Sequence, residues 1–287
     1  MAVAIFNNPV DFEDVMRIID GSQIIEEVKN LFIRLNYEPE SLAEISFIEP
    51  GMANDELELA TVLNENMLKA RKEMRPLCQD CGVAQVFIKM GKFATYSGAS
   101  TLAHLINKGV EEAYAEGLLR KSTVADPFER VNKGRNLPAF IHLEECDGDI
   151  FELHGMVKGG GSENVSALKM ISPVEGRAGV ANFVFETLRS AAGKGCPPYF
   201  IGVGVGGTFD NVPMIAKKAL LEKSDEDREL TDLINERIKW LDYGILGFPG
   251  ISAVKALYIK KEPTHIAMMP AAVALNCHSF RSGKIVL

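Results

Sequence analysis

Five cysteines in a chain of 287 residues carry the most reactive chemistry on offer. An odd number, widely spaced, makes a poor disulfide framework. Free, metal-bound or catalytic thiols remain. Cys78 lies in Pro76-Leu77-Cys78-Gln79-Asp80-Cys81-Gly82, Cys196 in Gly193-Lys194-Gly195-Cys196-Pro197-Pro198, and Cys277 in Leu275-Asn276-Cys277-His278. Each setting reads as a turn or an element end, where a thiolate can face a shared ligand. Cys146 lies in a hairpin-like turn with no other ligand type beside it. Any single cysteine is equally readable as a small buried hydrophobe.

Two metal readings follow. Cys78-x-x-Cys81 with Cys196 and Cys277 would give a tetrahedral zinc site, but structural zinc sites usually come as two close ligand pairs. Three distant cysteines would instead hold a [4Fe–4S] cluster and leave one iron open. An open iron is a Lewis acid toward a hydroxyl and a carboxylate. Spacing alone leaves both readings standing.

A third chemistry is suggested by Gly202-x-Gly204-x-x-Gly207, which follows an apolar run and precedes a helical one. By letter this fits a dinucleotide-binding turn. That fingerprint also needs an acid about 20 residues on, at the end of a second strand. Asp225, Glu226 and Asp227 stand there in a stretch that reads as helix. No Gly-Lys-Ser/Thr of a phosphate-binding loop is present either.

The elements that must position these residues can be read in outline. Residues 11–73 read as helical: Ile18, Ile19, Ile24, Ile25, Val28, Leu31 and Phe32 recur at helical spacing. Asn54 or Asp55 is the expected cap of a second helix. Residues 83–90 read as a strand and 99–120 as a helix ending near Arg120. The runs 139–145 and 150–157 read as two strands joined by Cys146-Asp147-Gly148-Asp149, a hairpin signal. Residues 158–164 read as a flexible loop, 177–192 as a helix and 199–208 as a strand entering a glycine-rich turn. Residues 210–223 and 225–241 read as helices, and 264–272 as a short buried strand. The class is α+β, with a helical quarter (1–75) and then a small central sheet surrounded by helices. No linker-like tract divides residues 1–287, so a single domain is expected.

Composition narrows the function. Acidic residues (39) outnumber basic ones (31), a formal charge of −8, which argues against nucleic acid or an anionic membrane as the main partner. A small anionic substrate, reading only the local field, stays open. The N-terminus lacks a basic region, and its apolar stretch is broken by Asn7, Asn8 and Pro9. The longest apolar run, 266–275, is interrupted by Pro270. A cytoplasmic location is expected.

PLCQD (76–80), KGGGSEN (158–164), GKGCPP (193–198), GVGVGGT (202–208) and AKKALL (216–221) together resemble signature segments of the class I iron–sulfur hydro-lyases. That family contains class I fumarate hydratase and L(+)-tartrate dehydratase. The match runs in family order from about residue 10 to the C-terminus. The chain looks like the α subunit, with the smaller remaining portion expected as a separate β subunit.

The resemblance implies Cys78, Cys196 and Cys277 as ligands of a [4Fe–4S] cluster with one open iron. It implies Asp80 and His265 as catalytic, and Gln79, Arg120 and Gly160 as contacts to a small dicarboxylate. The implied reaction is reversible hydration and dehydration of a dicarboxylic 2-hydroxy acid, malate to fumarate first, tartrate as the alternative. General chemistry agrees: a guanidinium binds carboxylate bidentately, and glycine-loop amides approach it closely.

Structural readings stand beside these. Arg120 could cap a helix C-terminus, His265 could be a satisfied core histidine, and Asp80 an ordinary turn former. Lys158 and Ser162 are possible loop contacts, and His278 could support its neighbouring cysteine. Two departures matter. Cys81 stands where the family usually has threonine, which keeps a four-cysteine set open. The chain also stops ten residues after Cys277, so the family's remaining arginine, lysine and catalytic hydroxyl are expected on the β subunit. The α subunit alone is then expected to be inactive. The rivals from other classes are a zinc-stabilised noncatalytic assembly subunit and a nucleotide-binding module.

Overall fold

The computed structural model describes residues 16–287; residues 11–15 of the first expected helix lie outside that range. The described chain opens with a short strand, β1 (Arg17–Ile19). Ile18 and Ile19 therefore extend instead of joining a helix. Ile19 is buried and Ile18 exposed, the alternation of a strand. Helix α1 (Gly21–Tyr37) follows, capped by Asp20, whose carboxylate accepts from Ser22 N–H at 2.7 Å. Its stripe of Ile24, Val28, Leu31, Phe32 and Leu35 is buried. Helix α2 (Asn54–Glu73) starts with Ala53 at the cap and no side-chain cap bond, so neither Asn54 nor Asp55 is the cap.

Strands β2 (Val83–Gly91) and β3 (Ala94–Tyr96) precede helix α3 (Leu102–Glu116), which Thr101 caps. Then come β4 (Phe140–Cys146) and β5 (Phe151–Lys158). The expected hairpin between them does not form. β2 lies between the two, parallel to β4 and antiparallel to β5. The Asp-Gly turn is occupied by the β2–β3 connection: Lys92 N–H donates to Cys146 O and Phe93 N–H to Gly148 O, both at 2.9 Å. The turn clasps the end of β2 and does not zip its own flanks.

The glycine stretch expected as a flexible loop forms a short helix, α4 (Gly160–Asn164). The remaining elements are β6 (Ala167–Met170), α5 (Gly176–Ala191), β7 (Tyr199–Gly207), α6 (Val212–Glu222), α7 (Arg228–Ile238), β8 (Val254–Thr264), β9 (Pro270–Asn276) and β10 (Arg281–Val286). The run expected as one strand, 264–272, is broken by a turn around His265, between β8 and β9.

The fold is α+β, but the expected single central sheet is two mixed four-stranded sheets. Their orders are β10-β5-β2-β4 and β6-β9-β7-β8, with β1 and β3 paired apart. Each sheet has its own helical cover: α1 and α3 pack on the first, α5 and α7 on the second. A third core lies between the sheets. Phe87 and Met156 enter it from one side, Phe200 and Ala272 from the other, with α2 and α6 contributing Leu63, Val212 and Leu220.

The glycines of β7 serve this core. A Cβ on Gly202 would overlap the Ala216 carbonyl oxygen, and one on Gly204 would lie 2.6 Å from Ala216 N. Glycine lets the α6 backbone rest directly on the strand. Helix packing thus accounts for Gly202 and Gly204 without a ligand.

Candidate active site

Strand register decides which turns meet. In the second sheet, β7 and β9 pair Phe200 with Asn276, which sets the turn of Cys277 beside the turn of Cys196. His278 ties them together. Its backbone N–H donates to Cys196 O at 3.0 Å, and its ring Nδ1 stands 3.2 Å from the same oxygen. In the first sheet, Val83 pairs with Lys158 and Val157 with Arg281. The turn of Cys78, the glycine stretch and the start of β10 are thus neighbours. Residues 277–280 carry the chain from one sheet to the other, and Cys277 sits on that crossing.

Cys78 and Cys277 are half-buried and Cys196 is exposed. Burial, followed by the negative charges of Cys277, Cys78 and Asp80, pushes the Cys196 thiol up. Such charges act at short range, so Cys196, Cys277, Cys78 and Asp80 lie in one small region. Cys81 also feels Cys78 and Asp80 but is turned into the core. It is 2% exposed, and its Sγ accepts the Arg120 N–H at 3.2 Å. Among the described residues, no three Cys, His, Asp or Glu side chains converge tightly enough to grip a single metal ion. Sulfur donors from three separate turns fit a multi-iron cluster, whose irons span the gap, better than one tetrahedral zinc ion.

A cavity of about 640 Å³ opens beside this turn, with Asp80, Arg120, Lys158, Gly160, Glu163 and Lys217 in its wall. Asp80 is more than a turn former. Its Oδ1 accepts from Gly82 N–H and its Oδ2 from Gly160 N–H, each at 2.9 Å. The Gly160 amide, expected to meet substrate, is held by Asp80 here. Gly82 has φ +58°, and a Cβ there would lie 2.5 Å from Lys158 O, so the turn requires glycine on both counts.

Lys158 is 1% exposed. It donates to Leu275 O at 2.6 Å and to Ser162 Oγ at 3.0 Å, and pairs with Glu163 at 3.1 Å. Burial brings its ammonium down to about 8, against the opposing pull of Glu163. Lys217 pairs with the other oxygen of Glu163 at 3.0 Å. Arg120 is exposed on the cavity wall, and Gly117, not Arg120, closes α3.

The sequence model described as fumarate hydratase (fumerase) matches residues 33–286. The chain belongs to this class I hydro-lyase family. A protein of Methanocaldococcus jannaschii, named as a candidate L(+)-tartrate dehydratase subunit alpha, is 39% identical over 230 residues, covering 76% of this chain and 80% of that one. L(+)-tartrate dehydratase subunit alpha of Escherichia coli O157:H7 is 30% identical over 233 residues, covering 78% and 76%. The protein of that name from Escherichia coli strain K12 shows the same identity and coverage. The chain is therefore an α-type hydro-lyase enzyme chain. None of its described helices is long and apolar enough to cross a membrane.

Within this hydro-lyase chain the fold unites most of the expected residues and separates one. Cys78, Cys196, Cys277, Asp80, Arg120 and Gly160 gather at one pole, and Gln79 is exposed between Cys78 and Asp80. His265 lies in the exposed turn before β9, whereas Cys277 follows the other end of that strand. Seven extended residues put roughly 20 Å between the two. His265 is neither in a buried strand nor beside the cysteines of its own chain.

Four further residues were not anticipated. Lys217, His142 and Gln85 line the cavity, and Arg281 lies behind the Cys78 turn. Lys217 belongs to the AKKALL segment, which offered a signal. His142 stacks on Phe87 at 5.0 Å, and burial, then Lys217, lowers its pKa. Nothing local marks Arg281, whose burial comes from the pairing of β10 with β5.

Proposed function

We propose that this chain is the α subunit of a [4Fe–4S] hydro-lyase that reversibly dehydrates a small dicarboxylic 2-hydroxy acid, malate to fumarate, with a β subunit completing the site. The observation that carries this reading is the meeting of three cysteine-bearing turns beside a cavity walled by Arg120, Asp80 and Lys158. Cys78, Cys196 and Cys277 would hold the cluster. When bound, it supplies an iron with an open position, a Lewis acid toward hydroxyl and carboxylate.

The chain's own residues do the rest. Arg120 presents a guanidinium fork to a substrate carboxylate. Lys158 and Lys217 add positive field to the cavity, and Glu163 between them limits it. The amides of Gly82 and Gly160 fix the orientation of Asp80, which exchanges a proton with substrate or water at its carboxylate. Gln79 contacts the substrate from the outer side of the same turn. Negative charge developing on the substrate is met by Arg120 and by donors of the β subunit. His265 is left out of the site formed by its own chain.

A second reading, L(+)-tartrate as substrate, is favoured by the names of the relatives. Anaerobic co-purification of both subunits, reconstitution with iron and sulfide, and assays on malate, fumarate and tartrate test the proposal. A coloured complex that turns over malate, with no activity from the α subunit alone, is expected. Turnover of tartrate but not malate selects the second reading. A complex that stays colourless, or a Cys196→Ser variant that keeps its full cluster, overturns the cluster assignment. Zinc without iron would restore the noncatalytic assembly role.

A further inference from the structure

Among the described residues two cations, Lys158 and Arg281, are buried to 1% exposure each. Their surroundings differ. Lys158 has an ionic partner in Glu163. Arg281 has none: among the described residues, no carboxylate oxygen lies within 4.0 Å of its guanidinium. Its bonds go to neutral oxygens. Nη1 donates to Asn36 Oδ1 at 2.9 Å and Nη2 to Asp80 O at 2.8 Å, while Nε is buried with no partner. The Asp80 carboxylate nearby is engaged by the amides of Gly82 and Gly160.

An interior charge without a counter-charge is strongly unfavourable, and buried ions are normally paired. The location indicates what supplies the missing anion. One prong of Arg281 grips the backbone of the turn that bears Cys78, and Arg281 itself opens β10 just after the crossing that bears Cys277. Three thiolates around a [4Fe–4S] core carry net negative charge, and they would gather at this pole.

We propose that Arg281 is the internal counter-charge of the cysteine-held cluster and the clamp that fixes the Cys78–Asp80 turn. This rests on the cluster reading above. Arg281 touches neither substrate nor reacting atoms, so it is a positioning residue. A buried positive neighbour favours the reduced, more negative form of a cluster. Removing that charge should therefore make reduction harder.

The test compares wild type, Arg281→Lys and Arg281→Gln as reconstituted α–β complexes. Both substitutions break the two-pronged grip, but only the glutamine removes the charge. Reductive titration followed by electron paramagnetic resonance should give R281K a potential near wild type and R281Q a more negative one. Equal potentials in the two variants overturn the proposal. Thermal unfolding of the cluster-free α subunit is the second measurement. R281Q should unfold no earlier than R281K, because without the cluster the charge lacks its partner. An R281Q that unfolds well below R281K, or fails to fold where R281K succeeds, assigns the charge to the fold itself and also overturns it. If neither variant folds, Arg281 is a fold anchor and the proposal falls. A wild-type complex with no iron or sulfide after reconstitution sinks the cluster reading first, before any variant is compared.

Discussion

Two glycine-rich stretches, 158–164 and 202–208, have similar composition and opposite uses. In the second, the missing side chains are replaced by protein: the backbone of α6 lies where the Cβ atoms of Gly202 and Gly204 would be. In the first, the space is left open. A Cβ on Gly160 would meet only Asp80 Oδ2, at 3.9 Å, and the Gly160 amide faces a carboxylate beside the cavity. Glycine thus marks close approach in both, but the approaching group is a helix in one case and the Asp80 carboxylate in the other. A glycine pattern alone does not say whether a ligand or the protein fills the gap.

The largest effect is expected from the packed stretch. Gly202→Ala places a methyl group on the Ala216 carbonyl. Overpacking of this kind should remove about 3 kcal/mol or more, read as a large fall in Tm or loss of soluble protein. A variant that melts like wild type would break the contrast between the two stretches. Next comes Cys196→Ser. This residue is exposed, so the cluster-free fold should melt as wild type while iron content and activity of the α–β complex are lost. Retained iron would show that the thiol is not a ligand.

Asp80→Ala is intermediate. It leaves the amides of Gly82 and Gly160 without their acceptor, which should destabilise by about 1–3 kcal/mol. It should also abolish turnover, so stability and kcat are to be measured together. Gly160→Ala should be the mildest. It adds ordinary contact only, within a short helix where alanine is favoured, so stability should change by about 1 kcal/mol or less. A collapse as severe as that of G202A would show that the open stretch is a packing element after all.

Much of the candidate site was legible because it is written in residue types. Cys78, Cys196 and Cys277 stood out by their turn-like settings, and the signature segments around them named the family. The cover of α1 was legible for the same reason: its apolar residues repeat at the helical period over several turns. Three misreadings share a cause. The Asp-Gly hairpin failed because β2 entered between β4 and β5. His265 lies in a turn, not in a buried strand, because the strand held between β6 and β7 begins only at Pro270. The flexible glycine loop became helix α4, whose first amide is held by Asp80 from another element. In each case a partner distant in sequence decided the outcome, and no local spacing encodes it.

The sequence by itself determined the chemistry available: three cysteines suited to a cluster, an arginine and an aspartate suited to a carboxylate substrate, and the hydro-lyase family. The tertiary structure alone decided which groups meet. The β7–β9 register brings Cys196 to Cys277, and the crossing at residues 277–280 brings both sheets to Cys78. β10, which follows that crossing, buries Arg281 without a carboxylate partner, and the stretch just after α3 sets the Arg120 amide on the buried Cys81 thiol. Residue type fixes what a group can do. Long-range strand pairing fixes its neighbours, and neighbours set charge, burial and hydrogen bonding.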